Sequence, residues 1–480
     1  MAIDLTHALE WTSANSEQLK MLEDLQGNIL DGHGRKSTRH LFLKFDDPKK
    51  GRAFVRDLNN HITSARAQLQ AAKAFRHGGP SAPPFVAFML SSAGYAALQL
   101  SKRPSDGGAF DQGMLARRTI LNDPAPAALE EPYRQRIDAM ILIGGNPDSR
   151  RSWGSTEVRT AEKAIRQLMG RRARVVAAET GRAIFRDNGT DESGIHKIEG
   201  IEHFGYVDGR SQPLMLKELV RREADESDGI SVWNPEFPIG QVLVPDPGSP
   251  HRGTAFGSYF VFRKLEQNVA AFKKRIEEEL ADETGLGELA GAMLVGRFED
   301  GTPVVSQRDP GGDNPVMNNF DYAADPDGLR CPLHAHIRKT NPRGDVRRQF
   351  GLPNDHEERS HIMARRGMTY GRRNRVTDPS NEPPGGVGLM FMAYHRDLAT
   401  GFEFTQQSWA NAAGFVAAGT GRDPIIGQRG TAAAVPLQIP GKWGVRDTPT
   451  TPATFEEFVS HRGGEYFFAP AKSTLAAMPV

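Results

Sequence analysis

The 480-residue sequence predicts an α+β fold made of two similar halves. Three observations lead there. Short apolar runs of strand length alternate with stretches whose apolar residues recur at helical spacing. The same alternation occurs on both sides of residues 214–255, which read as the hinge between the halves. The chain is also too long for one small core, so two domains, or one large duplicated one, are expected.

In chain order, His40–Phe45 (HLFLKF) is strand-like, and 51–72 reads as one helix with Phe54, Leu58, Ile62 and Leu69 near one face. Pro84–Leu90 is a second strand, and Ser91 or Ser92 is suited to cap the helix after it. Asp138–Gly145 is an apolar strand. A helix over 156–169 carries Val158, Ala161, Ile165, Leu168 and Met169, with Gly170 as its stop. Arg174–Thr180 returns as a strand. In the second half, Gly257–Arg263 is a strand, and Leu265–Leu280 reads as a helix with Leu265, Val269, Phe272, Ile276 and Leu280 on one stripe. Gly386–His395 is a further apolar strand, and Phe402–Asn411 looks helical. Glycines and prolines concentrate in loops at 222–255, 300–330 and 374–387. Loops this long are usually functional.

Composition excludes several classes. Lys plus Arg number 60 and Asp plus Glu 59, a net charge of +1 that argues against a whole-chain nucleic-acid binder. One cysteine rules out an intrachain disulfide and a CxxC zinc site. The N-terminus has acids where a signal peptide needs cations, and no apolar run approaches the ~20 residues of a membrane span. A cytoplasmic protein is expected, with loading into a protein shell left open. No membrane or nucleic-acid partner is expected, and a homo-oligomer is compatible with the sequence.

Four segments carry candidate chemistry. Cys331–Arg343, CPLHAHIRKTNPR, holds the lone cysteine and two histidines. If the segment is extended, His334 and His336 share a face and could form a metal pair. If it is helical they diverge, and only one can reach a given ligand. The bland alternative is that they are surface or core-edge histidines. Arg338, Lys339 and Arg343 would suit an anionic ligand. Cys331 could be a thiolate ligand, but a small buried side chain is the better reading. Glu202–Pro213, EHFGYVDGRSQP, sets Asp208 between Gly205 and Gly209, which permits close backbone approach to a flat ligand. A plain Asp-Gly turn is the alternative. Met363–Arg373, MARRGMTYGRR, reads as a solvated basic surface or as a nucleic-acid patch through Arg365 to Arg375, and by itself decides nothing. In Gly421–Gly427, GRDPIIG, Asp423 is a turn residue that would also serve as acceptor for a ligating histidine.

Together these strings resemble the dye-decolourising peroxidase family. Leu25–Arg35, LQGNILDGHGR, is similar to its N-terminal signature, EHFGYVDGRSQP contains its GxxDG motif, and CPLHAHIRKTNPR is similar to its proximal-histidine segment. FEFTQQSWAN, DPIIG and GGEYFFAP (463–470) match its C-terminal blocks. The resemblance covers most of the chain and is closer to the longer bacterial forms without a signal peptide. It implies two ferredoxin-like domains of the duplicated, dimeric α+β barrel type enclosing haem b. The N-terminal domain, 1–220, would carry GxxDG, and the C-terminal domain, 221–480, the proximal histidine and distal arginine. It makes His336 the axial haem-iron ligand, Asp208 the distal acid/base, Arg365 the distal arginine and Asp423 the acceptor behind His336. Leu389 and Phe391 would line the distal pocket, and Arg343 is a candidate propionate contact. Two departures stand out: Arg210 follows the Asp-Gly pair where the family often has an apolar residue, and the segment between His336 and Arg365 is long and basic.

The activity implied is reduction of hydrogen peroxide with oxidation of dyes, phenols and similar aromatic donors. Oxygen–oxygen cleavage would be assisted by Asp208 and Arg365 and lead to a ferryl intermediate. An aspartate ionises near pH 3.9, below histidine, so activity is expected to be best at acidic pH. Bulky dyes would be oxidised at a surface aromatic, with Tyr394, Trp409, Trp443 and Tyr466 as candidates. The alternative is a haem-binding protein of the same fold acting in haem handling or deferrochelation. A non-haem metal enzyme using His334 and His336 is a further rival.

Overall fold

The computed structural model describes residues 3–149, 152–190, 196–227, 229–311, 317–373, 381–430 and 432–479. Eight strands form its centre. They are β1 (Ser37–Lys44), β2 (Phe85–Leu90), β3 (Ala139–Gly145), β4 (Arg174–Arg182), β5 (Phe256–Gln267), β6 (Met368–Tyr370), β7 (Gly388–His395) and β8 (Val459–Ala469). The first four pair in the order β2-β3-β1-β4 and the last four in the order β8-β5-β7-β6, all antiparallel. Numbered within each half, both orders are 4-1-3-2, the ferredoxin-like sheet. Two seams join the sheets edge to edge, Phe468 opposite Leu90 and Tyr370 opposite Gly181. The eight strands thus close into a barrel, and closure removes the exposed edges of both sheets.

The strands read as almost continuous apolar runs because both faces are covered. One alternate set points into the barrel: Phe42, Met89, Met140, Phe260, Phe262, Met390, Met392 and Phe467 form one buried cluster contributed by both halves. The opposite set in the first half, Leu41, Leu43, Phe88 and Ile141, packs under two helices, α1 (Pro48–Leu58) and α3 (Thr156–Met169). Between them in sequence lies α2 (Ala65–Arg76). In the second half, Phe272, Ile276, Leu280, Met293 and Phe298 form a separate outer cluster. A cavity opens there against the outer face of β5 and β7.

Several expected elements differ from those observed. The helix expected over 51–72 is two: α1 ends in a 3-10 turn at Asn59–His61, and Ser64 caps α2 through Ala67 N. Leu265 belongs to β5, opposite Leu389 and His461, and the helical run starts only at Val269, where the Asn268 side chain caps it. Helical spacing of Leu265 was therefore fortuitous, because strand pairing outweighs it. The 214–255 segment is no bare linker. Leu216 bridges Leu9, and Lys217–Glu226 is a helix that takes the start of the expected 222–255 loop. The 374–387 loop falls partly outside the described residues, since 374–380 and with them Arg375 are not described, as are 312–316 of the 300–330 loop.

Candidate active site

The cavity has a volume of about 630 Å³, within the range of small-molecule and cofactor sites. Its wall includes Asp208, His336, Arg343, Arg365, Leu389 and Phe391, so six of the seven site residues expected from sequence meet in one place. The seventh, Asp423, lies directly behind the wall.

His336 opens a short helix, α4 (His336–Thr340). The turn before it sends the two histidines apart. His336 Nδ1–H donates to Asp423 Oδ2 at 2.7 Å, which leaves Nε2 as the atom turned to the cavity. Asp423 Oδ1 is held in turn by the amides of Ile425 and Ile426 at 2.8 and 3.0 Å. Burial pushes the Asp423 carboxyl up, but His336 and these amides outweigh it and hold it below the usual carboxylate range. His334 is buried elsewhere, with Nε2 unpartnered, and burial pulls its pKa to about 3. Among the described residues no cluster of three His, Cys, Asp or Glu side chains could hold a bare metal ion. Cys331 is buried and free, and burial pushes its thiol up to about 12, which disfavours a thiolate.

Asp208 sits on a tight hairpin. Its amide donates to Gly200 O, and Gly205 (φ 104°) and Gly209 (φ 83°) both take left-handed conformations. Asp208 Oδ1 accepts from the Gly209 amide at 2.7 Å. Glu202 clamps the same turn by accepting from the amides of Phe204 and Tyr206 and from Gln267 Nε2. Burial raises Glu202 to about 7, with Asp208 adding to the rise. Arg365, at the end of a two-residue strand paired with β7, donates through Nη2 to Arg210 O, two residues past Asp208. Burial lowers the Arg365 pKa, and the Asp208 carboxylate opposes that shift. Arg210 also lines the cavity.

The three cations of the proximal segment have different fates. Arg338 is buried and paired with Asp325 at 3.1 Å and Asp345 at 2.7 Å. Lys339 Nζ donates to Ala412 O and Gly421 O at 2.7 and 2.6 Å. Both brace the fold, and neither lines the cavity. Arg343 does line it, in a left-handed conformation (φ 46°), bonded to Asn318 O, Phe320 O and Ser211 Oγ. It forms no ion pair among the described residues. Beside it is Arg297, which sequence reading missed: its Nη1 donates to Gly301 O and Met317 O, while Nη2 is buried without a partner. Both guanidinium groups cover the Phe320 ring. Burial lowers Arg297 to about 9, helped by Arg343, and lowers Arg343 to about 10. Nothing local in GRFEDG marks Arg297; only its burial makes it notable. Glu202 lies within EHFGYVDGRSQP, where no local pattern distinguishes it.

The aromatics expected at the surface are mostly interior. Tyr394, Trp409 and Tyr466 are buried, and only Trp443 is half-exposed, with Nε1 donating to Val304 O. Aromatics on barrel strands and packed helices bury their area in cores.

The family described as the DyP dimeric alpha+beta barrel domain matches residues 24–182. The multifunctional dye peroxidase DyP2 of Amycolatopsis sp. is 43% identical over the full length of both chains. Its solved structure superposes with a TM-score of 0.89, covering 99% of this chain and 100% of that one. The chain belongs to the dye-decolourising peroxidase family. Its activity is accordingly that of a peroxidase, an oxidoreductase acting on hydrogen peroxide. A DyP-type peroxidase from Anabaena sp. is 36% identical with a TM-score of 0.88, covering 99% of each chain. The deferrochelatase of Escherichia coli O157:H7 is more distant, 28% identical over 43% of this chain and 37% of its own. No described helix is long and apolar enough to cross a membrane.

Proposed function

We propose that the chain is a haem b peroxidase that takes electrons from dyes, phenols and similar aromatic donors, with His336 as the axial iron ligand. The observation that carries this reading is the pairing of His336 with Asp423 on the wall of a cavity that Asp208 and Arg365 also line. The donor set fits the cofactor. An imidazole with one nitrogen free suits iron, Leu389 and Phe391 offer apolar wall to a flat macrocycle, and two buried guanidinium groups that form no ion pair among the described residues suit its propionates.

A bound haem would supply the redox chemistry, accepting two oxidising equivalents from peroxide and passing them to donors. Asp423 would give His336 imidazolate character by accepting its N–H, which makes the ligand more electron-rich. The Asp208 carboxylate would take the proton from one peroxide oxygen and return it to the other. Arg365 would hold the negative charge that develops on the leaving oxygen. Arg343 and Arg297 would anchor the carboxylate rim. The division into two domains is supported by the two 4-1-3-2 sheets, but the expected boundary at 220/221 falls inside the Lys217–Glu226 helix.

The test is the visible spectrum of the purified protein. A Soret band retained in His334→Ala and lost in His336→Ala is expected. Loss in His334→Ala alone would move the ligand to the other histidine.

A further inference from the structure

The N-terminal signature Leu25–Arg35 has no role in the chemistry above, yet Asn28 and Leu30 to Arg35 line the cavity. The link is Arg366, the second arginine of the Arg365–Arg366 pair. All three of its guanidinium nitrogens donate to backbone carbonyls: Nε to Asn28 O at 2.8 Å, Nη2 to Ile29 O at 2.9 Å and Nη1 to Arg365 O at 2.8 Å. Its amide donates to Met392 O on β7. Three of its five N–H donors are thus spent on backbone carbonyls, which fixes the plane of the guanidinium at the cavity wall.

The loop that offers these carbonyls is built for the purpose. Asn28 is left-handed (φ 71°), and its Oδ1 accepts from the His33 amide at 3.0 Å. Gln68 of α2 closes the loop, accepting from the Asn28 amide at 2.7 Å and donating to Asp31 O and Gly32 O at 3.0 Å each. At Gly27 a Cβ would lie 2.6 Å from Gln68 Oε1 and 2.7 Å from the Phe85 ring, so the closure needs glycine there. On the other side, the Arg365 amide donates to Gln212 Oε1 at 3.1 Å. Both backbone polar groups of Arg365 are therefore held, the amide by the Gln212 side chain together with Met363 O and the carbonyl by the Arg366 side chain.

We propose that Arg366 is a positioning residue, which ties the Asn28–Ile29 carbonyls to the backbone of Arg365 and so aims the distal guanidinium. The Leu25–Arg35 signature is then part of the distal site, although it contacts no reacting atom. The inference rests on the reading of Arg365 given above. Its physical basis is the steep dependence of electrostatic stabilisation on placement: a displacement near 1 Å costs about 100-fold in rate. Only a planar fork can span three carbonyls in fixed directions, so lysine is no substitute.

The test uses holoprotein and two readouts. Fluoride binding to the ferric haem, followed in the visible spectrum, reports the distal donor without turnover. The split between kcat/KM for peroxide and KM for the aromatic donor reports catalysis. Arg365→Leu serves as reference and is expected to weaken fluoride binding about tenfold or more. Arg366→Met and Arg366→Lys are expected to load haem fully, weaken fluoride about tenfold and lower kcat/KM for peroxide roughly 10- to 100-fold, with KM for the aromatic donor unchanged. If Arg366→Met does not fold, Arg366→Lys and Gln68→Leu make the same measurement. Wild-type fluoride affinity in the Arg366 variants beside a weakened Arg365→Leu overturns the positioning role and leaves Arg365 in place. Wild-type behaviour of Arg366→Lys alone reduces the role to charge and overturns the fork. An unchanged Arg365→Leu overturns both the distal reading and the inference built on it.

Discussion

A hydrogen bond of 2.7 Å between His336 and Asp423 is the residue-scale feature on which the proposed chemistry turns. The carboxylate is buried, charged and doubly held by amides, so it orients the imidazole and keeps the Nδ1 proton. Replacing it with a neutral amide leaves the shape but removes the charge. Asp423→Asn is expected to slow consumption of peroxide by about 10- to 100-fold at equal haem loading, measured by stopped-flow mixing. An unchanged rate would show that orientation alone suffices. The neighbouring cations make a different point. Arg338, Lys339 and Arg343 fall within six residues of one another, yet the first two are consumed by buried structure and only the third reaches the cavity.

At the scale of elements, the distal aspartate depends on a turn rather than on a helix or strand. Gly209 follows Asp208 with φ 83°, and a Cβ there would meet no neighbouring atom. The obstacle to a side chain is thus conformational and not steric crowding. Gly209→Ala is expected to cost about 1–2 kcal/mol of stability in urea unfolding. It should also lower kcat/KM for peroxide, because the strained turn re-aims the carboxylate. A variant with unchanged stability and rate would mean that the turn adopts another shape at no cost. Local sequence signals served well where elements are autonomous. The expected 156–169 helix coincides with α3, because a Ser155 cap and a Gly170 stop bracket a regular apolar stripe. They failed at Leu265, where pairing on both flanks of β5 holds the chain extended past the point at which helical spacing begins.

For the whole molecule, stability depends on how the halves are joined. Each seam of the barrel is a single residue pair in register, so side chains carry much of the junction. Arg263 of β5 pairs with Asp123, Arg117 with Glu403, and Lys264 with Glu130 and Glu179. Glu465 of β8 accepts the Met114 amide across the same junction at 2.9 Å, and burial raises its pKa from 4.5 to about 7. Since the folded chain holds this proton more tightly than the unfolded chain, the contribution is complete below pH 4.5 and is lost as pH rises through about 7. Glu465→Gln keeps the acceptor and removes the ionisation. It is expected to unfold at higher temperature than wild type at pH 8, by a difference of about 1–3 kcal/mol, and alongside it at pH 4.5. Equal melting temperatures at both pH values would place the Glu465 proton elsewhere.

The sequence by itself determined the class, the near-neutral charge, most strands and the residues that meet in the cavity. His336, Asp208, Arg365, Arg343, Leu389, Phe391 and Asp423 were all legible, because each lies in a string whose local pattern is distinctive and whose similarity to a family extends along the chain. Their roles are carried by the proposal above, while their convergence is a matter of geometry. Only the tertiary structure decided what depends on contacts remote in sequence. It closed two 4-1-3-2 sheets into one barrel, buried Arg297 beside Arg343 with no ion pair among the described residues, and drew the Asn28–Ile29 carbonyls onto Arg366 across more than 300 residues. It also moved three aromatics from the expected surface into the core. The physical reason is the same in each case. Burial and hydrogen-bond saturation are properties of an environment assembled from distant segments, and no local pattern in a single sequence records them.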